Sequence, residues 1–568
     1  MYKTPPNKEI AALLKAIADS LEIRSVDEFR VRAFRGGARN VEKMEIDVAD
    51  AVSAGRLDIL PGIGKRLGAV IDEYVRTGVS TDLAEAQEGI PPGLFEVLEI
   101  RGLGPKTVGK LFDELKIDGV DSLERMAVSG ELRSLPGMGP KKVERILAEI
   151  EKLRARRGRR LLADSLSIAR PILTKLRGIE GVADASLVGA ARRGVPVTGR
   201  VSLLVATGDP GPVIEVARSI LPKPESSELS VSGMYEDGFE VRIDVCPPAE
   251  FVLDLLLSTG SASHCDALRS ISRERGVQLQ NGAGFASEAE VYLALGLPPI
   301  PPELREGKGE IEAANIGTLP ELLATSDLQG DLHCHTRWSD GAHSIEEMAA
   351  TARELGRAYL AISDHSRSLT VAHGLEVARV AEQSEAVKEA NRAVDGIAIL
   401  HGTEVDILTD GSLDYPDELL SRLDWVSAAV HSGFGQSSED MTKRVVAAIR
   451  NPYVDSVAHP TGRLLNSRDG YELDVDAMLE AAAETGTALE INAMPDRLDL
   501  PEEPARKAAE MGVPLVINTD SHSMHHLDYL TYGVTAARRS WLRASDTLNT
   551  RDIEGLRHWR EERRRTHV

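Results

Sequence analysis

Six short apolar segments in the second half of this 568-residue chain end in polar residues, most of them of a metal-binding type, and helical stretches separate the segments. Apolar runs of this length are typical of buried strands, and their alternation with helices predicts a βα-barrel. In such barrels the reactive side chains stand at the carboxyl ends of the strands. The segments are YLAISDH (359–365), IAILHGTE (397–404), WVSAAVH (425–431), VDSVAH (454–459), GTALEIN (486–492) and VPLVINTDSH (513–522).

The residues at these strand ends, with the stretch DLHCHTRWSDG at 331–341, form one set of histidines and carboxylates. A single histidine at a strand end is more often a hydrogen-bonded core residue than a ligand. Nine such residues in register with strand ends favour a metal site, and mixed imidazole and carboxylate ligands suit three divalent ions of Zn, Mn or Fe. The predicted ligands are His333, His335, Asp340, His365, Glu404, His431, His459, Asp520 and His522.

Composition and charge limit the class of protein. The three cysteines are too few and too scattered for a disulfide framework, and no window approaches the ~20 apolar residues of a membrane helix. The first twenty residues have an amphipathic pattern and lack a secretory signal, so we expect a cytoplasmic protein without a membrane partner. The net charge of −22 is uneven, because residues 1–160 are nearly neutral and the rest are acidic. This asymmetry indicates two functions on one chain.

The nearly neutral region contains three copies of a pattern in which an apolar residue, two spaced glycines and a new helix follow one another. A glycine turn between two packed helices is common, but lysines follow two of the copies. We therefore expect backbone N–H groups of these hairpins to hold DNA phosphates without reading bases. The predicted DNA-contacting residues are Gly62, Gly64, Gly102, Gly104, Lys106, Gly137, Gly139, Lys141 and Lys142.

The second half resembles the polymerase-and-histidinol-phosphatase (PHP) family of metallophosphoesterases. The motifs that carry the resemblance are DLHCHTRWSDG, SDHS, GTEVDIL, AVHSGF, AHPTGRLL, EINAMP and NTDSH. It implies a seven-stranded barrel in which three ions are held by His333, His335, Glu404 and Asp520, by Glu404, His431 and His459, and by Asp340, His365 and His522. His333, His335, Glu404 and Asp520 are then also catalytic, and Arg463 or Arg497 is a candidate to hold phosphate, with a rim salt bridge as the equal alternative.

The first half, with the motifs SLVGAARRGVPVTGRVSLLV, GFEVRIDVCPPAEF and STGSASHCDALR, resembles bacterial family X DNA polymerases, which carry a PHP barrel at their C-terminus. The expected fold is therefore multidomain. It comprises an α-helical helix-hairpin-helix region, an α+β nucleotidyltransferase-like palm and thumb, and a distorted (β/α)7 PHP barrel. The expected domains are a helical domain (1–80), a fingers-like domain with two hairpins (81–160), a palm (161–252), a thumb and strap (253–320) and the barrel (325–568).

The palm of this chain departs from the family at its catalytic positions. Ala190 stands where the family motif has serine, and Arg200 and Ser202 stand where it has two aspartates. The register of the Pro-Pro pair places Arg242 at the third carboxylate. Guanidinium groups repel the metal ions that phosphoryl transfer requires, so we expect a palm that binds DNA without extending it.

We therefore expect a monomeric, DNA-binding phosphoesterase of DNA repair that acts on gapped or 3′-ended DNA as a 3′–5′ exonuclease or 3′-end phosphatase. Two alternatives remain at this stage. One is an active template-dependent repair polymerase with an associated 3′–5′ exonuclease, which uses Asp244, Asp209 or other carboxylates. The other is a DNA-binding scaffold whose barrel hydrolyses small phosphate esters.

Overall fold

The computed structural model describes residues 7–567 apart from 43, 45–47, 58, 59, 61, 236 and 280–283. The chain divides into two compact units, Met1–Arg157 and Gly158–Val568. Residues 1–6 of the predicted N-terminal domain and residues 58, 59 and 61 before its hairpin lie outside the described part. Within the described part, every helix is too short or too polar to span a lipid bilayer.

The first unit is helical and packs around two apolar clusters. One cluster contains Leu14, Ile17 and Phe34, and the other contains Val108 and Ile146. Helical periodicity of the apolar residues buries one face of each long helix. The described helices are α1 (Asn7–Ile23), α2 (Glu28–Glu42), α3 (Val48–Ser53), α4 (Lys65–Thr77), α5 (Thr81–Gln87), α6 (Gly93–Val97), α7 (Pro105–Leu115), α8 (Val120–Ser129) and α9 (Pro140–Arg156).

The second unit begins with a five-stranded sheet of order β2-β4-β7-β6-β5, in which β4 and β7 are parallel and the other pairs antiparallel. Strands β1 and β3 form a separate ribbon. The elements are β1 (Arg160–Leu161), α10 (Leu162–Arg177), β2 (Val182–Val188), α11 (Gly189–Arg192), β3 (Val197–Thr198), β4 (Arg200–Thr207), α12 (Pro210–Ile220), β5 (Glu225–Ser226), β6 (Ser230–Met234) and β7 (Glu240–Cys246).

Four helices follow the sheet and pack around a cluster that includes Leu256 and Leu268. Inside this cluster, His264 is fully buried between the Glu310 carboxylate (Nδ1–Oε1 2.6 Å) and the Tyr292 hydroxyl (Nε2–Oη 2.9 Å). Through these contacts Glu310, at the end of the Pro-rich strap, is held against the helices that contain His264 and Tyr292. The helices are α13 (Phe251–Thr259), α14 (Ala262–Arg275), α15 (Glu288–Ala294) and α16 (Glu310–Ile316).

The rest of the second unit is a seven-stranded parallel barrel, as the sequence predicts. Its strands are paired in chain order from first to last. A parallel bridge between Cys334 and Ser521 joins the last strand end to the first, and the His335 N–H donates to the Ser521 carbonyl at 2.7 Å. Helices cover the outside, so the strands are buried on both faces and their sequences are continuous apolar runs.

The barrel elements alternate along the chain until the last two helices. They are β8 (Gly330–Cys334), α17 (Ile345–Glu354), β9 (Tyr359–Ile362), α18 (Val377–Ala393), β10 (Ala398–Asp406), α19 (Asp417–Leu420), β11 (Trp425–Ala429), α20 (Ser438–Ile449), β12 (Ser456–Val457), α21 (Val475–Thr485), β13 (Ala488–Asn492), α22 (Glu502–Glu510), β14 (Leu515–Asn518), α23 (Leu530–Arg539) and α24 (Ile553–His567).

Candidate metal centre

The nine predicted ligands lie together at the carboxyl-terminal mouth of the barrel. His333 and Glu404 are on β8 and β10, and the others follow β8, β9, β11, β12 and β14 within a few residues. Two of them, His459 (φ 31°) and Asp520 (φ 55°), have positive φ, which is uncommon for residues other than glycine. Backbone strain of this kind persists where the surrounding structure fixes it, and it is concentrated at functional sites.

Their nitrogen and oxygen atoms converge in three groups, each spanning no more than 4.8 Å. Within these groups, His335 Nε2 lies 3.1 Å from Asp520 Oδ1, and His365 Nδ1 lies 2.8 Å from Glu404 Oε2. His459 belongs to none of the three groups, but its Nε2 lies 2.9 Å from Glu404 Oε1. The groups are His335, Asp340, His365 and His522; His333, His335 and Asp520; and His365, Glu404 and His431.

The grouping agrees only in part with the sets that the family resemblance implies. His335 and His365 each belong to two groups, whereas the resemblance gives each of them one ion. Glu404 remains central, because His365, His431 and His459 all approach its carboxylate within 3.3 Å. Sequence spacing gives the strand ends but not the distances across the barrel, so this sharing was not predictable.

Three buried polar atoms of the mouth make no hydrogen bond of ordinary geometry among the described residues: His335 Nδ1, and the pair His365 Nδ1 and Glu404 Oε2, which lie 2.8 Å apart. A buried polar atom without a partner costs about 1–3 kcal/mol. Imidazole nitrogens and carboxylate oxygens in this arrangement match the ligand preferences of Zn, Mn and Fe ions, and bound cations would satisfy such atoms. The residues present therefore fit a multinuclear metal centre.

The electrostatics of the mouth separate its imidazoles into two kinds. Burial, together with the neighbouring imidazoles of His522 and His365, lowers the pKa of His335 to about 3. Although burial opposes the charge, Glu404 raises the pKa of His365 to about 10 and that of His431 to about 9. Burial also opposes the charge of Glu404, yet His431 and the other imidazoles hold its pKa well below the ordinary value. Without metal, His365 and His431 are therefore protonated at neutral pH, and the central Glu404 carboxylate is charged.

Glu490 on β13 supports several of these residues and was not among the predicted site residues. Its Oε2 accepts hydrogen bonds from His333 Nδ1 (2.7 Å) and Asn518 Nδ2 (3.0 Å). Its Oε1 accepts from the His459 N–H (3.1 Å) and from Asn492 Nδ2 (2.8 Å). A carboxylate on Nδ1 places the imidazole proton there and leaves Nε2 of His333 unprotonated, which is the form that binds metal.

A second supporting carboxylate, Asp406, lies two residues beyond Glu404 on β10, and its Oδ1 is 2.9 Å from His431 Nδ1. Asn492 likewise lies two residues beyond Glu490 and donates to Asp520 Oδ2 at 3.1 Å. Residues two apart on a strand face the same side, here the barrel interior. A search for polar residues at this spacing after each predicted ligand would have found Asp406 from sequence, but not Asn492, because Glu490 was not among those ligands.

The two arginines at the mouth have different roles. Arg463 donates from Nε to the Arg497 carbonyl at 3.0 Å and from Nη2 to the Leu498 carbonyl, so its guanidinium holds a backbone turn. Arg497 Nε lies 3.6 Å from Asp520 Oδ2. The predicted catalytic role of Arg463 has no support in these contacts, and Arg497 is the better candidate to hold a phosphate.

The predicted degenerate palm positions lie on β4, on β7 and in the short helix after β2. Ser202 on β4 pairs with Arg242 on the parallel strand β7, and Arg200 Nη1 is 3.9 Å from Glu240. Ala190 lies in the short helix α11 after β2. Guanidinium, hydroxyl and methyl groups thus stand at the positions where the sequence register expects the family's carboxylates and serine.

The two carboxylates considered as replacements are both engaged. Arg242 Nε lies 3.0 Å from both oxygens of Asp244, and this ion pair raises the pKa of the Arg242 guanidinium. Asp209 caps helix α12 by accepting a hydrogen bond from the Gly211 N–H at 3.1 Å. Binding a metal ion would require Asp244 to separate from its arginine.

The palm loop itself is also occupied by protein groups. Arg192 pairs with Glu288 through two hydrogen bonds (2.8 and 2.7 Å). Arg193 donates to Glu306 at 2.9 Å, and Arg539 of the barrel donates to the same carboxylate at 2.8 Å and to the Arg193 carbonyl at 2.7 Å. These buried contacts join the palm loop to the barrel helix α23.

The three glycine hairpins of the first unit have one geometry. The first glycine of each has positive φ (Gly62 73°, Gly102 87°, Gly137 83°), which a side chain would disfavour. The second glycine of each is extended and directly precedes α4, α7 or α9, and a Cβ built on it would meet no atom within 4 Å. Folding does not require glycine at those second positions. Bare backbone at a helix N-terminus allows a phosphate to approach closely.

Four family models match the chain. They are Helix-hairpin-helix domain (residues 5–80), SAM-like Helix-hairpin-helix tandem (95–152), DNA polymerase beta thumb (254–306) and PHP domain (331–494). Their order along the chain follows the order of the helical unit, the helices after the palm sheet and the barrel.

The chain is also similar to curated proteins. The DNA polymerase/3'-5' exonuclease PolX of Bacillus subtilis (strain 168) is 37% identical over 570 residues, which cover 97% of this chain and 98% of that protein. A probable phosphatase of Thermoanaerobacter sp. (strain X514) is 30% identical over 246 residues, 41% of this chain and 95% of that protein. A probable phosphatase of Acetivibrio thermocellus is 33% identical over 201 residues, 34% of this chain and 78% of that protein.

Proposed function

The chain belongs to the family X DNA polymerases that carry a C-terminal PHP domain, and from this premise we propose that the barrel is its working enzyme. The proposed activity is metal-dependent hydrolysis at a DNA 3′ end, as a 3′–5′ exonuclease or a 3′-end phosphatase. The palm binds DNA in this proposal and does not extend it.

The observation that carries the proposal is the contrast between the two candidate centres. At the barrel mouth, nine histidines and carboxylates lie together, and eight of them form three groups whose ligand atoms lie within 4.8 Å of one another. In the palm, the positions that should hold cations carry Arg200, Ser202 and Arg242, and the nearby Asp244 is paired with Arg242. Of these two places in the described part of the chain, the mouth is the one that gathers metal-type ligands around a shared space.

The residues proposed to hold the metal ions are the nine predicted ligands. Bound divalent ions lower the pKa of coordinated water and neutralise phosphoryl oxygens, which an anionic phosphate ester requires for attack. Glu490 orients His333 and His459, and Asp406 orients His431. Arg497, beside Asp520, holds a non-bridging phosphate oxygen with its guanidinium.

The proposal gives the front half of the chain a delivery role. Three hairpins with bare glycine backbone at helix N-termini, each followed within two residues by a lysine (Lys65, Lys106 or Lys141), hold the DNA backbone without sequence preference. The barrel lies in the acidic part of the chain, which repels free DNA. DNA that the first unit already holds therefore reaches the mouth more often than free DNA does. We further propose that the protein acts as a monomer in the cytoplasm.

One gel tests the proposal. A gapped duplex with a primer labelled at its 5′ end is incubated with the full chain, Mn or Mg ions and all four nucleotides, so that extension and trimming are both visible. We expect trimming that is lost in His333→Ala and retained in His558→Ala, a matched histidine change on the exposed face of α24. Primer extension that Asp244→Ala abolishes would overturn the proposal.

A second candidate function is hydrolysis of small phosphate esters, with the front half as a separate DNA-binding module. The two relatives named probable phosphatases favour it, because their matches are no longer than the barrel. Rates on a generic aryl phosphate and on a 3′-phosphorylated primer at equal concentration separate the two candidates. A faster rate on the aryl phosphate would favour the small-ester function.

A further inference from the structure

Two neighbouring loops at the barrel mouth carry an aromatic pair. Phe434 lies on the loop after β11, three residues beyond the predicted ligand His431, and Tyr471 lies on the loop after β12. The two rings are stacked, with centroids 6.1 Å apart and planes inclined by 25°. At the start of the same two loops, the rings of His431 and His459 are 5.4 Å apart. The aromatic pair therefore lies on the rim of the mouth beside these two histidines.

Gly462, three residues beyond His459, allows the two loops to meet. Its φ is 61°, a conformation that favours glycine, and a Cβ built on it would lie 2.6 Å from Tyr471 Cε1. The same Cβ would lie 3.6 Å from Phe434 Cε1. The Tyr471 hydroxyl donates to the Pro460 carbonyl at 2.6 Å, which fixes its ring against this loop. A side chain at position 462 would push Tyr471 away from its place beside Phe434.

A guanidinium group covers the Phe434 ring. The Cζ atom of Arg468 lies 4.5 Å from the ring centroid, and its Nε and Nη2 donate to the Gly462 carbonyl at 3.2 and 2.8 Å. Phe434 packs in part against the apolar core of the barrel, which accounts for its burial. Core packing does not account for a guanidinium that a backbone carbonyl holds over the ring. Both side chains are only half-buried, and we call this pair the Phe434–Arg468 platform.

We propose that the base of the 3′-terminal nucleotide stacks on the Phe434–Arg468 platform while its phosphate lies at the metal centre. This inference rests on the proposed hydrolysis at a DNA 3′ end, and it adds the group that holds the leaving nucleotide. The base and the phosphate under attack belong to one nucleotide, so the base must bind on the rim beside the metal ligands. Aromatic rings and arginine guanidinium planes stack on any base without reading its identity. The platform thus selects nucleotides among phosphate esters.

The first experiment compares two primers that differ in one group. Both are labelled at the 5′ end and annealed beside a gap. One ends in a mismatched 3′ nucleotide and the other in an abasic tetrahydrofuran nucleotide, so neither terminus is paired. The full chain with Mn is added, and the measured quantity is the ratio of the two rates of first cleavage. Because both rates come from one preparation, a partial loss of folding or of metal lowers both and leaves the ratio unchanged.

The variants separate the flat groups from size and charge. Phe434→Leu keeps apolar volume without a ring, Phe434→Tyr keeps the ring, and Arg468→Lys keeps the charge without the guanidinium plane. Tyr453→Leu is the matched control. Tyr453 is a half-buried barrel aromatic that also lies beneath an arginine, with Arg564 Cζ 5.3 Å from its centroid. It precedes β12 and so lies at the end of the strands opposite the mouth.

We expect the wild type, Phe434→Tyr and Tyr453→Leu to trim the base-bearing terminus about tenfold faster than the abasic terminus, the contribution of one stacked base. In Phe434→Leu and in Arg468→Lys the ratio should fall close to one. A wild-type ratio near one would overturn the inference, and so would a tenfold ratio that persists in either of these two variants.

Calorimetry distinguishes failure of this inference from failure of the proposed function. The Mn-loaded full chain is titrated with dAMP and with deoxyribose 5-phosphate, which requires no hydrolysis. We expect dAMP to bind the wild type about tenfold more tightly than the sugar phosphate, and the two affinities to become similar in Phe434→Leu. Equal affinities in the wild type would overturn the inference whether or not trimming occurs. If neither primer is trimmed while this difference in affinity is present, the proposed function alone fails.

Discussion

Replacing Glu490 with glutamine tests whether this carboxylate on β13 positions the metal-binding residues His333 and His459. Each carboxylate oxygen accepts two hydrogen bonds: Oε2 from His333 and Asn518, and Oε1 from the His459 backbone and Asn492. A glutamine has one accepting oxygen, so in either orientation its NH2 group faces two donors. If it faces His333, that ring must move its proton to Nε2 and can no longer bind metal through that atom.

The two asparagines cannot relieve the conflict by rotating their amides. The Asn518 oxygen already accepts from the Leu332 N–H at 3.0 Å, and the Asn492 oxygen accepts from the Met494 N–H at 3.0 Å. Two buried donors are therefore left unpaired, at about 1–3 kcal/mol each in the free energy of unfolding. Loss of a group that orients a metal ligand lowers metal affinity by about 10–100-fold.

The assay for Glu490→Gln measures metal content after dialysis against a series of free Mn concentrations, together with thermal unfolding of the metal-free protein. We expect Glu490→Gln to hold less Mn than the wild type at each free Mn concentration. Its melting temperature should be lower even without metal, because the variant lacks these hydrogen bonds in both the metal-bound and the metal-free protein. Glu484→Gln, an exposed carboxylate paired with Arg450, is the matched control. Wild-type metal affinity in Glu490→Gln would refute the reasoning.

Three further predictions follow from the site and the hairpins. Glu404→Gln should lower the metal content more than Asp340→Asn does, because three histidines approach the Glu404 carboxylate; equal losses by elemental analysis would contradict its central role. The pKa values of His365 (about 10) and His431 (about 9) are raised in the metal-free fold. The contribution of these two imidazoles to the free energy of unfolding is therefore complete below their ordinary pKa of 6.5, and it is lost as the pH rises through 9–10. Melting temperatures of the metal-free protein should fall across that range, and calorimetry at neutral pH in buffers of different ionisation enthalpy should record proton release on metal binding. DNA affinity should fall as salt rises, and Lys106→Gln should reduce the slope of log K against log salt by about 1; an unchanged slope would remove Lys106 from the interface.

The barrel was predictable because each strand is buried on both faces and so appears in the sequence as a short apolar run. The metal-type residues were predictable for a related reason, since parallel strands end at one edge and their terminal residues must meet there. The hairpin turns were predictable from glycine spacing, and positive φ at Gly102 and Gly137 confirms the conformational reason for the first glycine.

The supporting contacts were not predictable in the same way. Asp244 looked like a possible metal ligand of the palm, and only the rotamer of Arg242, two residues earlier on β7, shows that the two side chains form an ion pair. Arg463 looked like a phosphate ligand, but the folded loop directs its guanidinium to backbone carbonyls.

The sequence by itself therefore determined the barrel, the nine residues at its mouth and the glycine hairpins, because each is encoded in local periodicity or in the identity of a residue. Only the tertiary structure decided that His335 and His365 are shared between groups and that Glu490 holds two histidines at once. Those contacts join residues up to 187 positions apart along the chain, and their distances depend on how strands pack across the barrel, which local sequence does not specify.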